Sequence, residues 1–515
     1  MNETVRVRRD DSNPTSDDTL LHVLSADDAR RSAIVVPDGG PCLTYAELAA
    51  RVWSVAEALR RGGIGRGDRV AIVLPNGLEF VAVFLAVTWI GAVAAPLNPA
   101  LTEPEQRFCI EDAAACAVIV APAGAATARQ AATALAVPLW EAHLGPNDRV
   151  LVAPLRPVDA SPASADMPRP DDIALFLHTS GTTGRPKAVP LTHRNLMQSI
   201  RTIRATYRLT PADTSLIVMP LFHVHGLLGA ALASLNAGGS IVVPPRFSAR
   251  RFFAHCAAHR VTWYSAVPTI HRTVLQRAVE ENVTATAFRF VRSCSAALPP
   301  ELWKQLEARF AVAVVEAYGM TEAAHQMTAN PLPPGTRKPG TVGMSTGVVV
   351  TIRDERGAIL PAGARGEVAI AGPSVTRGYC NNPRANAAAF FGDWLRSGDE
   401  GILDADGFLT LAGRIKELIN RGGEKISPLE IETALAAHPA VAEAACFGVP
   451  DPKYGEEVHA AVVLRADASE RELLAFCLDR LARFKAPKKL HIVAEIPHTP
   501  TGKIQRQPLA ARFRT

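Results

Sequence analysis

Apolar runs of strand length alternate with Ala-, Leu- and Arg-rich stretches of helix length from about residue 20 to about residue 340, and no other feature restricts the fold as strongly. Tyr45–Arg61 predicts a helix and Val70–Leu74 a strand, and Leu78–Trp89 with Val93–Leu97 repeats the pair. Strands joined through helices lie parallel in one sheet, because the helix returns the chain to the same end. The alternation therefore predicts an α/β fold with largely parallel sheets.

The last third of the chain departs from this alternation. From Gly343 to about Leu411, short β-rich pieces such as Val348–Arg353 are separated by Gly, Pro and Asp. Beyond Gly413–Lys416, helix and strand patterns fill about a hundred residues, a normal size for an independent domain. We predict a partly disordered leader at 1–19, a large N-terminal domain at 20–415 and a small α+β C-terminal domain at 416–515.

A polar loop follows the apolar run Ile173–Leu177 and has the composition of a polyphosphate-binding segment. It contains two glycines, four hydroxyl residues and two cations: Gly181, Gly184, Thr179, Ser180, Thr182, Thr183, Arg185 and Lys187. The glycines permit a tight turn with N–H groups close to anionic oxygens, and the hydroxyls and cations add donors and charge. The spacing is not that of the common P-loop. A plain polar surface loop is the alternative.

A second cluster, Tyr318–Glu322, follows the apolar strand Ala311–Val315. The aromatic face of Tyr318 can stack on a purine, the Thr321 hydroxyl can donate to a phosphate, and the Glu322 carboxylate can hold Mg²⁺. The alternative is a strand end followed by a helix that Thr321 caps.

Three further clusters lie downstream, at Arg396–Glu400, Gly413–Glu417 and Pro500–Arg506. A carboxylate at a tight turn, here Asp399, is the usual partner of a ribose diol, and an arginine such as Arg414 can bind the same hydroxyls or a phosphate. Taken singly, ordinary turn chemistry and a solvated basic tail explain them equally well.

Together and in this order, the five motifs resemble those of the adenylate-forming superfamily, which includes acyl-CoA synthetases, 4-coumarate–CoA ligases, firefly luciferase and adenylation domains of peptide synthetases. The resemblance extends from about residue 20 to about residue 510. It implies an N-terminal AMP-binding domain of two mixed α/β subdomains and a β-rich subdomain, hinged to a mobile C-terminal domain. It also implies a reaction in which a carboxylate attacks the α-phosphate of ATP, pyrophosphate leaves, and a thiol attacks the acyl-adenylate.

The resemblance implies a role for each nucleotide-site residue. The 179–187 loop, with Lys187, holds the β- and γ-phosphates. The other implied roles are adenine packing for Tyr318, α-phosphate contact for Thr321, Mg²⁺ binding for Glu322, ribose binding for Asp399 and Arg414, and bridging of carboxylate and α-phosphate for Lys503. The implied cofactor is Mg²⁺, with ATP and CoA as co-substrates.

The same resemblance implies how the C-terminal domain takes part in both steps. Lys416 matches the residue about which this domain rotates, which withdraws Lys503 and brings Gly422–Lys425 to the site. Gly423 then lines the pantetheine tunnel beside Gly422, where a missing side chain leaves room, and Lys425 meets a phosphate of CoA.

For the acid, the runs 220–228, 262–271, 292–296 and 417–428 resemble the oxalate–CoA ligase branch of the superfamily. Hydroxyl and imidazole donors suit a second carboxylate close to the first, and a cysteine at 294 rather than a glycine shortens the cavity. The predicted acid-site residues are His223, Ser293, Ser295 and His325, and His223 joins Lys503, Thr321 and Glu322 as catalytic candidates. The prediction is oxalate plus ATP plus CoA giving oxalyl-CoA, AMP and pyrophosphate.

Several alternatives stay open. Each histidine taken singly is as well explained by a hydrogen bond in the core. Malonate or another short acid is the alternative substrate, and a carrier-protein-directed adenylating enzyme is a further alternative. The sequence also leaves the oligomeric state open.

Composition excludes other classes of function and partner. The net charge of +5 over 515 residues gives no case for nucleic acid. Eight scattered cysteines without a C-x-x-C pair fit a reducing compartment. The N-terminus lacks the apolar core of a secretory signal, and the apolar run Phe80–Ala95 is too short for a membrane span. We therefore predict a cytoplasmic enzyme whose partners are small molecules: a short dicarboxylic acid, ATP and CoA.

Overall fold

The structure is a computed structural model that describes residues 18–25, 27–158, 161–179, 186–283, 285–499 and 502–513. The described chain forms four β-sheets with their helices. Residues 1–17 of the predicted leader lie outside the described residues, as do residues 180–185 of the predicted phosphate loop.

The described residues up to 192 contribute nine strands and four α-helices. The strands are β1 (Ser32–Val35), β2 (Cys42–Thr44), β3 (Arg69–Val73), β4 (Val93–Pro96), β5 (Ala117–Val120), β6 (Leu139–Leu144), β7 (Val150–Pro154), β8 (Ile173–Thr179) and β9 (Lys187–Thr192). The helices are α1 (Tyr45–Arg61), α2 (Leu78–Trp89), α3 (Glu103–Asp112) and α4 (Ala126–Ala134).

Strands β3 to β9 form a seven-stranded sheet in the order β7-β6-β5-β3-β4-β8-β9, with parallel pairing except at its two edges. Helix α1 begins at a capping box in which Thr44 and Glu47 bond each other's backbone N–H, and its Leu48, Val52 and Leu59 are buried. Helix α2 is buried on nearly all sides. The longest apolar run is thus an interior helix that leads into β4.

The next segment builds a nine-stranded sheet. Its helices are α5 (His193–Thr206), α6 (Val224–Gly226), α7 (Ala233–Asn236), α8 (Ala249–Ala258), α9 (Pro268–Glu280) and α10 (Pro300–Phe310), with a π-helical segment at Leu227–Leu232 between α6 and α7. Its strands are β10 (Thr214–Leu216), β11 (Ser240–Val242), β12 (Trp263–Ala266), β13 (Phe290–Ser293), β14 (Ala313–Met320), β15 (His325–Ala329) and β16 (Met344–Ser345).

The strand order of this sheet is β16-β15-β14-β13-β12-β10-β11-β1-β2, and β12, β13 and β14 are parallel neighbours. The carboxyl ends of parallel strands meet at one edge, so the segments that follow these three strands lie side by side. The predicted acid-site residues Ser295 and His325, which follow β13 and β14, therefore lie at this edge.

The remainder forms two smaller sheets. The third comprises β17 (Val349–Arg353), β18 (Arg365–Ala371), β19 (Phe390–Phe391), β20 (Trp394–Leu403) and β21 (Leu409–Arg414), with helix α11 (Pro383–Ala389). The fourth comprises β22 (Ile419–Arg421), β23 (Glu424–Ile426), β24 (Val441–Asp451), β25 (Gly455–Leu464) and β26 (Lys489–Ile492), with helices α12 (Pro428–Ala436), α13 (Glu470–Leu478) and α14 (Arg506–Ala511).

The predicted fold class is confirmed: a large α/β N-terminal part with a β-rich sheet precedes a small α+β part. The domain limits at 19/20 and 415/416 stay predictions. No helix among the described residues combines the length and the apolarity that crossing a membrane requires.

Candidate active site

Three of the predicted nucleotide residues contact one another where β14, β20 and β21 meet. The Tyr318 hydroxyl donates to the Asp399 carboxylate, and Arg414 Nε lies 2.8 Å from Asp399 Oδ1. Asp399 and Arg414 are direct partners across β20 and β21. Burial raises the pKa of Asp399, and the neighbouring Arg414 opposes that shift. The antiparallel register thus holds a carboxylate and a guanidinium side by side, beside an aromatic ring.

Glu322 and Lys187 are joined by a residue that the sequence analysis did not select, Tyr379. The Tyr379 hydroxyl donates to Glu322 Oε1 over 2.8 Å, and Lys187 Nζ lies 4.5 Å from the centre of the Tyr379 ring. Desolvation lowers the pKa of Lys187, and the positive charge of the nearby Lys416 lowers it further, while the negative charge of Glu322 opposes the shift. Tyr379 therefore fixes the spacing between a cation and a carboxylate.

These residues fit a magnesium ion that is shared with a phosphate. The described residues contain no group of three or more His, Cys, Asp and Glu side chains that would enclose a metal. Mg²⁺ is commonly held by one or two carboxylates together with substrate phosphates and water. Glu322, a single carboxylate near the cation Lys187, matches that chemistry.

The two ends of the predicted phosphate loop are adjacent. Thr179 ends β8 and pairs with Lys187 at the start of β9, and the Thr179 hydroxyl donates to the Lys187 carbonyl over 3.3 Å. Ser180, Gly181, Thr182, Thr183 and Gly184 lie outside the described residues. Thr321, the predicted α-phosphate contact, is buried in a short 3₁₀ turn directly after β14.

Lys503 reaches the same region from the C-terminal part of the chain. Its backbone carbonyl accepts from the Thr499 N–H over 2.8 Å, which closes a tight turn. A side chain at Gly502 would meet Val267 Cγ2 at 2.8 Å, so this turn packs against the start of α9. Lys503 is exposed to solvent. Desolvation by the surrounding protein nevertheless lowers the pKa of Lys503, and the positive charge of Arg414 lowers it further. The carboxylates of Asp399 and Glu322 oppose that shift.

The acid end of the site begins at His223, the N-cap residue of α6. Its Nδ1 accepts the backbone N–H of His225 over 3.3 Å. Desolvation and the nearby Lys503 lower the pKa of His223 to about 3. His223 is therefore neutral at physiological pH, and because Nδ1 accepts, its remaining proton is on Nε2.

His325 lies against His225, with ring centres 5.3 Å apart and nearly parallel planes. His325 has a φ of 95° and Ala324 a φ of 49°, conformations that non-glycine residues rarely adopt and that cluster at functional sites. Close packing fixes the imidazole. A Cβ at Gly229 would lie 2.4 Å from His325 Nε2, and one at Gly319 would lie 1.6 Å from the His325 carbonyl oxygen.

The two predicted serines lie in different places. Ser295, with a φ of 72°, places its Oγ 3.0 Å from His225 Nδ1. Ser293 is fully buried, and its hydroxyl has no hydrogen-bond partner in the described part of the chain. Alternation along β13 puts Ser293 on the face of Val291, opposite to the face of Arg292. The structure therefore brings Ser295 to the histidine cluster and does not bring Ser293 there.

Arg292 occupies the centre of this cluster and is fully buried. Its guanidinium lies 2.9 Å from Tyr207 Oη, 2.8 Å from Ser265 Oγ, 3.0 Å from His325 Nε2 and 3.1 Å from Gln326 Oε1. The sequence analysis gave Arg292 no role, although an arginine directly after Phe290 and Val291 in a buried strand was a detectable anomaly. The sequence around Tyr379 contains no comparable anomaly that would have identified this residue.

The predicted CoA residues have other neighbours than those of Lys503 in this arrangement. Gly422 and Gly423, with φ of 60° and 93°, form the turn between β22 and β23, and the space around a Cβ at 423 is empty. Lys425 Nζ is 3.5 Å from Glu355 Oε1. Lys416, the predicted hinge, is exposed in a single 3₁₀ turn directly after β21.

Comparisons with known proteins agree with this geometry. The AMP-binding enzyme family matches residues 25–380, and the AMP-binding enzyme C-terminal domain matches residues 430–503. An oxalate–CoA ligase from Arabidopsis thaliana is 47% identical, and the match covers 92% of this chain and 93% of that protein. An oxalate–CoA ligase from Saccharomyces cerevisiae is 42% identical, with 93% and 94% covered.

Two crystal structures of one relative can be compared with the arrangement of the two parts of this chain. The ATP-bound crystal structure of MatB from Rhodopseudomonas palustris has a TM-score of 0.87 at 34% identity and covers 96% of this chain and 99% of its own. The apo crystal structure of MatB gives a TM-score of 0.77 at the same identity and coverage. The arrangement with Lys503 in the cleft is therefore closer to the ATP-bound form. The AMP-binding enzyme match alone covers more than half of the chain, and the protein belongs to the AMP-binding enzyme family.

Proposed function

We propose that this protein is an AMP-forming acid–CoA ligase that converts oxalate, ATP and CoA to oxalyl-CoA, AMP and pyrophosphate. One observation supports the proposal: Lys503 is an electrostatic neighbour of the nucleotide residues Asp399 and Arg414 and also of His223 at the acid end. A cation at that position can neutralise both an acid carboxylate and an α-phosphate. The oxalate–CoA ligases that share 47% and 42% of their residues with this chain support oxalate as the acid.

In the first step, a carboxylate oxygen of the acid bonds to the α-phosphorus of ATP and the bond to pyrophosphate breaks. The step brings two anions together, so it depends on positioned positive charge rather than on covalent help from the protein. Lys503 supplies that charge at the reacting groups, and Lys187 supplies it at the departing phosphates. Mg²⁺, when held by Glu322, neutralises further phosphate charge. Asp399 and Arg414 hold the ribose, with Tyr318 beside the adenine.

In the second step, the CoA sulfur bonds to the acyl carbon and AMP leaves. Lys503 has no part in this bond change, and the residues proposed to bind CoA lie elsewhere in the present arrangement. We infer that the C-terminal domain turns about Lys416 between the steps. The turn between β22 and β23 then approaches the site, where Gly423 leaves room for pantetheine and Lys425 meets a phosphate.

The acid end favours a short acid with a second anionic group. Cys294, which is fully buried, occupies space next to the cluster of His225, His325 and Arg292. The polar groups assembled here include the cation Arg292 and a hydroxyl and imidazoles that can donate hydrogen bonds, which suit an acid whose far end is also a carboxylate. Oxalate meets this description in the smallest volume. Malonate is the next candidate, because it differs by one methylene group.

Pyrophosphate release tests the proposal directly. The purified protein is supplied with ATP, Mg²⁺ and CoA, and with oxalate, malonate, acetate, hexanoate or coumarate in turn. We expect oxalate to give the highest kcat/KM and turnover to require CoA. Highest activity with a monocarboxylate would refute the assignment of the acid but not of the reaction. Full turnover without CoA would refute the ligase assignment. A cytoplasmic location and the use of Mg²⁺ remain part of the same proposal.

A further inference from the structure

Arg292 is a buried cation without a buried anion. Its side chain is fully inaccessible, and among the described residues no Asp or Glu lies within ion-pair distance of it. Arg289, three residues earlier, shows the ordinary solution: its Nε is 2.9 Å from the Asp213 carboxylate. Burying an unpaired charge is strongly unfavourable, so Arg292 requires either a set of neutral acceptors or an anion from outside the chain.

The four partners of Arg292 determine where the nearby protons are. A guanidinium can only donate, so Tyr207 Oη, Ser265 Oγ, Gln326 Oε1 and His325 Nε2 all accept from it. Neutral His325 then carries its proton on Nδ1, which has no hydrogen-bond partner in the part of the chain that the structure describes. Arg292 thus turns His325 into a donor at its free nitrogen.

The same logic extends along a chain of bonds to Ser295. Ser265 Oγ already accepts from Arg292, so we assign the Ser265 hydroxyl proton to His225 Nε2, 2.7 Å away. In this tautomer His225 carries its proton on Nδ1 and donates it to Ser295 Oγ over 3.0 Å. The hydroxyl proton of Ser295 is left for a ligand. Each bond in such a chain polarises the next, so the Arg292 charge strengthens Ser295 as a donor.

We propose that Arg292 forms the subsite for the second anionic group of the acid: its charge balances that group, and its hydrogen bonds aim the Ser295 hydroxyl and the His325 Nδ1–H at it. Arg292 is a positioning residue, since it acts through Ser265, His225 and His325. The inference rests on the proposed function and adds the cause of selectivity for a dianion. In a water-poor site an opposite charge several ångströms away still contributes.

The test compares oxalate with oxamate, in which one carboxylate is replaced by an amide of the same size. The native enzyme should prefer oxalate strongly, because an amide brings no charge and offers N–H groups to a set of donors. Arg292→Met should reduce the ratio of kcat/KM for oxalate to that for oxamate by roughly 100-fold, mainly through the KM of oxalate. The KM of ATP should stay within about twofold of the native value, as expected for a folded nucleotide site.

Two further variants separate this role from a structural one. Arg292→Lys keeps the charge and should recover part of the preference for oxalate. Ser265→Ala removes the hydroxyl that connects Arg292 to His225 and should lower that preference by about 10-fold. Arg289→Met, which removes an arginine that already has Asp213 as a partner, is the matched control and should leave the preference unchanged.

The outcomes distinguish the inference from the proposed function. If Arg292→Met or Ser265→Ala is folded and loses oxalate and oxamate turnover equally, Arg292 is only structural and the inference is wrong. If Arg292→Met does not fold, an unchanged preference in Ser265→Ala overturns the inference on its own. If the native enzyme does not use oxalate at all, the proposed function fails first, before any variant is considered.

Discussion

Lys503 belongs to the small C-terminal part, yet its side chain lies among residues of the large N-terminal part. Its electrostatic neighbours are Arg414, Asp399 and Glu322. We expect Lys503→Ala to abolish acyl-adenylate formation and to spare thioester formation from supplied oxalyl-adenylate. Pyrophosphate release without CoA measures the first step, and release of oxalyl-CoA measures the second. Lys489→Ala, at an exposed lysine of the same domain, is the control, and equal loss of both steps in Lys503→Ala would contradict the role.

The pH dependence of the first step follows from the same lysine. The cation is the active form, and partial desolvation by the surrounding protein, together with the nearby Arg414, lowers the pKa of Lys503 from 10.5. The ammonium is therefore lost as pH rises, at a lower pH than for a free lysine. We expect the adenylation rate to fall on the alkaline side below pH 10.5. Lys503→Arg should be slower but should lack this fall, because a guanidinium stays charged. His223, with a pKa of about 3, should add no titration between pH 6 and pH 9.

Tyr379 allows a separate test of the phosphate end. Tyr379→Phe removes the hydroxyl that donates to Glu322 and keeps the ring beneath Lys187. Loss of a hydrogen bond that orients a metal-binding carboxylate commonly weakens metal binding by about 10- to 100-fold, and we expect that shift in a Mg²⁺ titration of adenylation. Tyr45→Phe is the control, since Tyr45 donates to two buried carbonyls and should affect only the melting temperature. An unchanged Mg²⁺ titration would remove Glu322 from the metal site.

Single residues show where sequence-based prediction reaches its limit. Tyr318, Asp399 and Arg414 were predictable because each lies in a short motif, and the structure brings them into contact. The contacts of Arg292 involve residues from 207 to 326, so no local pattern contains them. Ser293 and Ser295 look equivalent in the sequence. They are separated because side chains alternate between the two faces at the end of β13, and the sequence does not show where that strand ends.

At the scale of elements, the helical segment 224–236 supports the acid site. Its middle is π-helical, at Leu227–Leu232, and such widened turns occur often at functional sites. Gly229 lies in this segment, and its missing side chain leaves the space that the His325 imidazole occupies.

Gly229→Ala therefore tests whether the position of that ring matters. Alanine favours a helix over glycine by about 1 kcal/mol, so the change should not weaken the helix itself. The added Cβ displaces the His325 ring from Arg292, and we expect the KM of oxalate to rise by roughly 10- to 100-fold while the KM of ATP is unchanged. Steady-state kinetics with each substrate varied in turn is the measurement. A variant as active as the native enzyme would show that the ring position is not critical.

Most elements were predictable because local patterns and packing agree. Helix α1 begins and ends where its capping box and periodicity place it. Strand β14 runs to Met320, five residues beyond the predicted end at Val315, because β15 pairs with the extension in antiparallel register. The pairing with β15, which follows a tight 3₁₀ turn, is not encoded in the apolar pattern. A prediction from that pattern alone therefore placed the end of the strand too early.

At the scale of the whole molecule, one domain must serve both steps. Lys503 has Arg414, Asp399 and Glu322 as electrostatic neighbours, Lys425 contacts Glu355, and the TM-score is higher for the ATP-bound MatB structure than for the apo structure. We therefore assign the present arrangement to the first step of the proposed reaction. The link between the two parts is short, since β21 ends at Arg414 and β22 begins at Ile419.

Lys416→Pro tests whether movement about this link is required. Proline fixes φ, so the variant should keep one arrangement. We expect acyl-adenylate formation to persist and thioester formation to fall by at least about 100-fold, because the CoA residues stay misplaced. Lys416→Ala, which leaves φ free, should carry out both steps. The two half-reactions are assayed as for Lys503, and a normal rate of thioester formation in Lys416→Pro would exclude rotation at this residue.

The separation between the acid cluster and the nucleotide residues has an evolutionary consequence. In the described chain, the hydrogen bonds that radiate from Arg292 include no residue of the Tyr318–Asp399–Arg414 group. Natural selection can therefore act on the acid through β12, β13 and α6 without disturbing ATP chemistry. Descendants of one ancestral enzyme can diversify in the acids they accept by a few inherited substitutions there, while their use of ATP stays constant.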